Sequence, residues 1–278
     1  MKIHERPGLV TCGLPSGERL VASTYGGQVL SWTNRDGMEL LYASELSTGE
    51  GGEPVRGGVP VCFPQFSGRG PLPQHGFART STWNALPDEA PGTIHFQLRD
   101  SESSAGIWPN KFRLDLYATL RPGELEVRLE VRNEGEHAWS FTGALHTYLA
   151  VSAARHTKLH GLRGAEAEDA LAERFFTVRE EVLDLSPPID SVYYNVGGPL
   201  LLTDAEHILH IEQSGFSDVV VWNPGAERAP AYPDLSAADI PRLLVVEAAQ
   251  ARDRLDLAPH ATWRGMQRLR LVQHCSLP

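Results

Sequence analysis

The chain has 278 residues, of which 41% are hydrophobic, and its 35 acidic and 25 basic residues give a formal net charge of -10 at pH 7. This length can bury a real core, and we expect a single domain spanning residues 1–278. The negative charge argues against a nucleic-acid or anionic-membrane partner, since both bind positive surfaces, so any phosphate must be bound by a local basic cluster.

Strands with alternating apolar and polar residues are predicted along most of the chain. In chain order they span residues 19–23, 27–32, 39–43, 93–98, 112–120, 124–133, 141–151, 207–212, 218–223, 243–249 and 268–272. A helix is predicted only for residues 165–175, and a turn or two of helix for 236–243. Many strands without regular strand–helix alternation indicate an all-β fold, an antiparallel sandwich rather than a doubly wound sheet.

The strongest strand pattern lies at residues 124–133, where apolar and charged side chains alternate in ELEVRLEVRN. Residues 112–120 alternate in the same way, and Arg121-Pro122-Gly123 supplies turn residues between the two runs. These two runs therefore predict a β-hairpin.

Three cysteines, Cys12, Cys62 and Cys275, are far apart in the sequence. Their odd number and wide spacing favour neither a disulfide framework nor a zinc site, and we predict no metal. The first ten residues, MKIHERPGLV, lack the apolar segment of a signal peptide, and no apolar run is long enough to span a membrane. We expect a protein of the reducing cytoplasm.

Residues 54–87 contain no Asp or Glu, yet they include Arg56, Arg69 and Arg79 among many glycines and prolines. The planar guanidinium suits a phosphate because it can donate two hydrogen bonds to one anion, and glycines let backbone N–H groups approach closely. The alternative is an exposed loop whose arginines pair with distant acids. Gln74 and His75 lie in the same loop, where His75 could donate to a sugar oxygen or be solvated.

His146 and Glu247 are polar residues within apolar strands, in GALHTYL and LLVVEAA. A buried imidazole needs a partner for each nitrogen, and a buried carboxylate acquires a raised pKa unless it is paired. Each residue could instead make a structural hydrogen bond or salt bridge. Together they are candidates for a proton-transfer pair.

Asp190 follows Pro187-Pro188-Ile189, a rigid approach that either directs the carboxylate into a cleft or makes a turn. Trp222 ends the run VVVW, where its ring could stack on a sugar or fill the core. Neither residue decides between these alternatives by itself.

Several of these segments carry a family resemblance. Residues 56–79 (RGGVPVCFPQFSGRGPLPQHGFAR) are followed by ALHTYLAV, DVVVWNP, LLVVEAA and APHATWRGMQ, and preceded by YGGQVLSW. In order and approximate spacing these segments resemble the hexose-6-phosphate mutarotases, or glucose-6-phosphate 1-epimerases, of the aldose 1-epimerase (galactose mutarotase-like) superfamily.

The resemblance implies a galactose mutarotase-like β-supersandwich of mainly antiparallel strands with a few short helices. It also implies interconversion of the α and β anomers of an aldohexose 6-phosphate without metal or organic cofactor. We expect a monomer that acts on a small phosphosugar. By position in the motifs, His146 resembles the family's general acid and Glu247 its general base. Gln74, His75, Asp190 and Trp222 are expected at the sugar, and Arg56 and Arg79 at the 6-phosphate.

Anomerisation needs such a pair, because one group removes the C1 hydroxyl proton while another protonates the ring oxygen, and we expect acid and base on opposite edges of the sugar. The chain departs from the family pattern at Ser191, Gly225 and Ala249-Gln250. Other functions remain open: an epimerase of free aldoses, a non-catalytic carbohydrate-binding or sugar-sensing module, or a glycoside hydrolase using Asp190 and Glu247.

Overall fold

The structure is a computed structural model that describes residues 8–87 and 90–272, so Cys275 and the first seven residues lie outside it. The first ten strands are β1 (Leu9–Gly13), β2 (Arg19–Ser23), β3 (Gln28–Thr33), β4 (Val61–Cys62), β5 (Asn84–Leu86), β6 (Thr93–Arg99), β7 (Phe112–Arg121), β8 (Glu124–Asn133), β9 (Trp139–Leu145) and β10 (Tyr148–Ala150). The remaining strands are β11 (Lys158–His160), β12 (Glu166–Asp169), β13 (Arg174–Thr177), β14 (Val182–Asp184), β15 (Ile189–Tyr194), β16 (Leu200–Thr203), β17 (Ile208–Ser214), β18 (Asp218–Asn223), β19 (Leu243–Leu257) and β20 (Thr262–Val272).

Helices in the described residues are few and short, as the all-β prediction expects. One α-helix, α1, spans Glu102–Ile107, and single 3-10 turns or slightly longer pieces lie at Glu50–Gly52, Ala78–Thr80, Ala154–His156, Ala226–Ala231 and Ile240–Arg242. In the part of the chain that the structure describes, no helix is both long and apolar enough to cross a membrane.

The strands form two large sheets and one small sheet, and neighbouring strands pair antiparallel. An eight-stranded sheet has the order β13-β12-β15-β18-β19-β9-β4, with β10 also paired to β19, and a nine-stranded sheet has the order β14-β11-β16-β17-β20-β8-β7-β6-β5. Strands β1, β2 and β3 make the third sheet. The predicted hairpin is confirmed: β7 and β8 pair from Phe112↔Asn133 to Arg121↔Glu124.

The main hydrophobic core contains side chains from both large sheets, among them Leu116, Leu129, Val221, Val246 and Leu269. Successive strand residues face opposite sides of a sheet, so a strand with one face in this core presents every second residue to the other side. The eight-stranded sheet therefore has a core face and an outer face.

Helix 165–175 is a wrong prediction, because this segment forms the β12–β13 hairpin. Ala167 is fully buried in the core while Glu166 and Glu168 are more exposed, and the Asp169 carboxylate accepts hydrogen bonds from the backbone of Leu171 and Ala172 in the turn. Strand pairing has overridden the helical propensity of an Ala- and Glu-rich sequence.

Two strand predictions also need correction. Residues 39–43 make only isolated bridges, Glu39 to Thr33, Leu41 to Leu149 and Ala43 to Gly57. The predicted strand 141–151 is interrupted after Leu145 and resumes at Tyr148, with β19 as a partner on both sides of the interruption.

Candidate active site

One cavity of about 240 Å³ is lined by all eight residues singled out from the sequence. They are Arg56, Gln74, His75, Arg79, His146, Asp190, Trp222 and Glu247. The wall also includes Pro54, Phe66, Ser67, Tyr148, Val220 and Tyr232. The structure thus brings the predicted residues together, whatever each one does there.

The floor of the cavity is the outer face of the eight-stranded sheet. Asp190 pairs directly with Trp222 across β15 and β18, and Val220 pairs with Glu247 across β18 and β19. Val221 and Val246, at alternate positions, belong to the core instead. Period-two geometry thereby places Asp190, Trp222 and Glu247 on one surface.

His146 lies at the interruption between β9 and β10. Leu145 pairs with both Val61 and Ala248, and pairing with β19 resumes at Tyr148↔Val245. The backbone N–H of His146 donates to the carbonyl of Pro60, just before β4, at 2.9 Å. Because Leu145↔Ala248 and Tyr148↔Val245 belong to the same antiparallel register, His146 lies opposite Glu247 on β19.

The His146 Nε2 and Glu247 Oε1 atoms are 3.4 Å apart. His146 is 9% exposed and Glu247 is 2% exposed, so both side chains are largely shielded from solvent. His146 Nδ1 and Glu247 Oε2 are buried and have no hydrogen-bond partner among the described residues. Buried polar atoms without partners are unfavourable, which suits atoms that a polar ligand completes.

Burial favours the uncharged form of both groups. It lowers the pKa of His146 well below its ordinary value, and His75 and the charges of Arg79 and Arg56 act in the same direction. Burial also raises the pKa of Glu247 well above its ordinary value, reinforced by the charge of Asp190 and opposed by Arg79. The neutral pair holds one proton, as does the corresponding ion pair, so conversion between them needs no proton from solvent.

His75 has a left-handed backbone, with φ of 62°, and its Nδ1 accepts a hydrogen bond from the Ser67 backbone N–H at 3.3 Å. The Cys62 thiol lies 3.0 Å from the same nitrogen. Because Nδ1 accepts, the proton of the neutral ring resides on Nε2. Burial, together with the charges of Arg79 and Arg56, lowers the pKa of His75 to about 3. His75 is therefore a neutral hydrogen-bond donor.

Arg56 is held by an acid distant in sequence. Its Nε donates to Asp234 at 2.7 Å and its Nη1 to the Tyr148 hydroxyl at 3.2 Å. The guanidinium also lies 5.3 Å from the ring centre of Tyr232. The positive charge of Arg56 is thus largely compensated by Asp234.

Arg79 differs from the other two loop arginines. Arg69 forms an ion pair with Glu168 at 2.8 Å, which agrees with the alternative that the loop arginines pair with acids distant in sequence. Arg79, by contrast, makes no ion pair with any residue in 8–87 or 90–272. Its Nη2 donates to the backbone carbonyl of Gln74 at 3.1 Å, and its Nε is buried without a partner among those residues. Arg79 is the cavity's uncompensated cation.

Asp190 and Trp222 lie side by side. Burial raises the pKa of Asp190, opposed by the charges of Arg228 and Arg69. Trp222 makes edge contacts with Tyr148 and Tyr232, at ring-centre distances of 6.3 and 5.5 Å. It therefore packs against aromatic neighbours and lines the cavity at the same time.

The departures from the family pattern are not among the residues that line the cavity. Gly225 has φ of 76°, and a Cβ added there would lie 3.2 Å from the Pro188 nitrogen, so a larger residue would be strained. Arg228 acts on the Asp190 carboxyl through its charge. Gln250 accepts a hydrogen bond from Ser217 and donates to the Asp253 carbonyl.

Sequence reasoning missed Tyr148, Tyr232 and Asp234. Tyr148 stacks on His146 with ring centres 4.9 Å apart, and its place two residues after His146 was a usable signal, because such residues share a strand face. Tyr232 and Asp234 lie in the segment between β18 and β19, where no sequence pattern indicates a return to the cavity. The described residues include no group of three or more His, Cys, Asp or Glu side chains placed to hold a metal ion.

A family model described as aldose 1-epimerase matches residues 9–270, nearly the whole chain. The chain belongs to the aldose 1-epimerase family. The match covers every residue of the cavity, and the class of enzyme that the family supports is an epimerase, or mutarotase.

Similar curated proteins share one name, "Putative glucose-6-phosphate 1-epimerase". The protein of that name from Cenchrus ciliaris is 34% identical over 268 residues, covering 91% of this chain and 82% of the relative. The one from Escherichia coli (strain K12) is 31% identical over 237 residues, covering 82% of this chain and 78% of the relative.

Solved structures share the fold at lower identity. A "putative mutarotase (YeaD)" from Salmonella typhimurium superposes with a TM-score of 0.87 at 24% identity, covering 96% of this chain and 90% of that one. The GalM/aldose epimerase homologue from C. elegans gives a TM-score of 0.70 at 9% identity, covering 96% and 99%. The predicted galactose mutarotase-like β-sandwich is confirmed.

Proposed function

We propose that this enzyme interconverts the α and β anomers of an aldohexose 6-phosphate, D-glucose 6-phosphate, by general acid–base catalysis. The observation that carries the proposal is the dry contact between His146 and Glu247 on the cavity floor, 3.4 Å apart, each with one buried atom lacking a partner among the described residues. A module that only binds sugar has no use for such a pair.

Ring opening begins with the Glu247 carboxylate and the protonated His146 ring. Glu247 removes the proton of the C1 hydroxyl, His146 donates its proton to the ring oxygen, the bond between C1 and that oxygen breaks, and C1 becomes an aldehyde. The hydroxyl oxygen that loses its proton and the ring oxygen that gains one are both bonded to C1. An acid and a base that lie close together therefore suit this transfer better than groups on opposite edges of the sugar.

His146 and Glu247 together hold the same number of protons before and after this step, because Glu247 gains one and His146 loses one. Ring opening leaves a protonated Glu247 and a neutral His146, the forms that burial favours. After rotation about the bond between C1 and C2, the aldehyde is attacked from its other face and both protons return. The low-polarity surroundings thus stabilise the open-chain stage, which is the higher-energy species in water.

The remaining cavity residues have proposed binding roles. His75, with its proton on Nε2, donates to a sugar oxygen, Asp190 accepts from a hydroxyl, Gln74 contacts the sugar, and Trp222 offers an aromatic face. Arg79, uncompensated by any acid in the described residues, is the primary contact for the 6-phosphate, and Arg56 contributes its unused guanidinium N–H groups.

The test is anomer exchange by the purified protein on freshly dissolved α-D-glucose 6-phosphate, followed by polarimetry or by a coupled dehydrogenase that accepts only the β anomer. We expect equilibration faster than the spontaneous rate, with a lower KM for the phosphate than for free glucose. Binding without exchange would favour a sugar-sensing module, and release of sugar from a glycoside would favour a hydrolase.

One observation favours a second candidate, an epimerase of free aldoses. Asp234 compensates the charge of Arg56, which leaves Arg79 to neutralise a doubly charged phosphate almost alone. Equal kcat/KM for glucose and glucose 6-phosphate would select this second function.

A further inference from the structure

The short segment between β9 and β10, which carries His146, is bonded to the opposite sheet through the side chain of Thr147. Thr147, the residue after His146, is 0% exposed, and its hydroxyl donates to the side-chain carbonyl of Gln267 on β20. Gln267 is 2% exposed and lies in the nine-stranded sheet. The hydrogen bond therefore crosses the core between the two sheets.

The same Gln267 amide also contacts the strand that carries Glu247. Its Nε2 donates to the backbone carbonyl of Val246 at 3.0 Å. The Val246 backbone N–H in turn donates to the carbonyl of Thr147 at 3.0 Å. Gln267, Thr147 and Val246 thus form a closed set of hydrogen bonds directly beneath the cavity floor.

Thr147 and Val246 are the immediate neighbours of His146 and Glu247 along their strands. Because side chains alternate, His146 and Glu247 face the cavity while Thr147 and Val246 face the core. Any shift of one strand segment against the other changes the 3.4 Å separation of Nε2 and Oε1 above it. A bridge between Thr147 and Val246 opposes that shift.

A glutamine is an unfavourable choice for this position unless its hydrogen bonds are needed. An amide loses its hydration in an apolar core, and an apolar residue of similar length would fill the same space. Both ends of the Gln267 amide are nevertheless satisfied, one by each segment of the cavity floor. The arrangement matches a polar group retained to specify geometry.

We propose that Gln267 is a positioning residue, which fixes the spacing of His146 and Glu247 by bridging Thr147 and Val246 from the opposite sheet. The proposal deepens the proposed function and rests on it. It also gives a role to Gln267, the last residue of the segment APHATWRGMQ (residues 258–267), although no side chain of that segment lines the cavity.

The test compares Thr147→Val, which keeps the shape but loses the hydroxyl, with Thr147→Ser, which keeps the hydroxyl, and with Gln267→Met. We expect Thr147→Val and Gln267→Met to lower kcat for anomer exchange at least tenfold with KM changed less than twofold. Thr147→Ser should retain kcat within about threefold.

Thr157→Val is the matched control for lost stability. Thr157 is also 0% exposed, and its hydroxyl is within hydrogen-bond distance of the Ala153 carbonyl and the Asp204 carboxylate, to which it can donate, away from the cavity. We expect this variant to lose at least as much stability in urea as Thr147→Val while keeping its kcat. A kcat loss that follows stability in both threonine variants would make Gln267 merely structural and overturn the proposal.

A second measurement does not depend on activity. The ring ¹⁵N shifts of His146, followed against pH in the unliganded protein, report its contact with Glu247. We expect them to move in Thr147→Val and not in Thr157→Val. If the wild type exchanges no anomers but these shifts move, the proposed function fails and the positioning role stands; if the shifts are unchanged, the positioning role fails.

Discussion

The two ends of the cavity are built differently. The proposed reactive pair lies on the eight-stranded sheet, where the register of β19 with β9 and β10 places Glu247 beside His146. The cationic end is built from loops, where Arg56 donates to the Asp234 carboxylate and Arg79 donates to the Gln74 backbone carbonyl. Strand pairing positions the proposed acid and base, whereas loop contacts position the arginines proposed to bind the phosphate, so we expect variants at the two ends to fail in different ways.

Replacement of Glu247 by Gln should have the largest effect. The amide keeps the shape but cannot accept the C1 hydroxyl proton, so we expect kcat for anomer exchange to fall at least a hundredfold with the fold intact. His146→Ala should also lower kcat at least a hundredfold, because it removes the proposed general acid. Polarimetry on α-D-glucose 6-phosphate measures both.

Glu212→Gln is the matched control. Glu212 is also a strand glutamate, but it pairs with Arg268 in the nine-stranded sheet, away from the cavity. It should keep its kcat. Near-normal turnover in Glu247→Gln would remove that residue from the mechanism and leave the sheet end of the cavity without a catalytic base.

Replacement of Arg79 by Ala should act on binding rather than on turnover. Hydrogen bonds to charged groups are worth roughly 1.5–3 kcal/mol, so we expect KM for glucose 6-phosphate to rise about tenfold to a hundredfold. KM for free glucose should stay within twofold, because the lost contact is to phosphate. Steady-state kinetics with the two sugars measure the split.

Arg69→Ala is the control within the same loop. This substitution also removes a guanidinium, but the Arg69 guanidinium donates to Glu168 and to the Tyr194 hydroxyl and does not line the cavity. We expect its KM to remain unchanged. Equal increases of KM for both sugars in Arg79→Ala would show that Arg79 shapes the loop instead of binding phosphate.

The sequence predicts the sheet end of the cavity better than the loop end. His146 and Glu247 are conspicuous because polar side chains within apolar strands need a partner, and the family motifs suggest their roles. The compensation of Arg56 by Asp234 joins residues 178 apart in sequence, which no local pattern reveals. Long-range loop contacts follow from the assembled fold rather than from periodicity.

For the fold, strong alternation predicts strands well and composition predicts helices badly. The hairpin of β7 and β8 agrees with its pattern, whereas residues 165–175 contribute to the β12–β13 hairpin, in which Ala167 is buried in the core. α1 was missed, although Ser101 makes a capping box with Ser104. A six-residue helix with one capping signal is too short for periodicity to indicate.

His75 should make stability depend on acid pH. Its pKa in the folded protein, about 3, lies below the ordinary value of 6.5, so folding favours the neutral ring. The stabilisation is complete above pH 6.5 and is lost as pH falls from 6.5 towards 3. Between pH 7 and pH 5 we expect this group to contribute a loss of about 2 kcal/mol.

The measurement is urea unfolding of wild type and His75→Gln at pH 7 and pH 5. The glutamine does not titrate, so the variant should lose less stability between these values, whereas His156→Gln, at an exposed position, should behave as wild type. His146 lowers stability in acid in the same direction, so the difference between proteins is the informative quantity. Identical slopes would mean that His75 is solvated.

Replacement of Asp234 by Asn should have the smallest effect and the opposite sign. The amide oxygen can still accept from Arg56 Nε, so the guanidinium keeps its orientation while its charge is no longer compensated. We expect KM for glucose 6-phosphate to fall about threefold, KM for glucose to stay constant, and the gain to vanish in high salt, because the added attraction is screened. An increase of both KM values would show that the Asp234 charge holds Arg56 in place. In that case the loop end of the cavity depends on fixed geometry as much as the sheet end does, and the contrast between the two ends disappears.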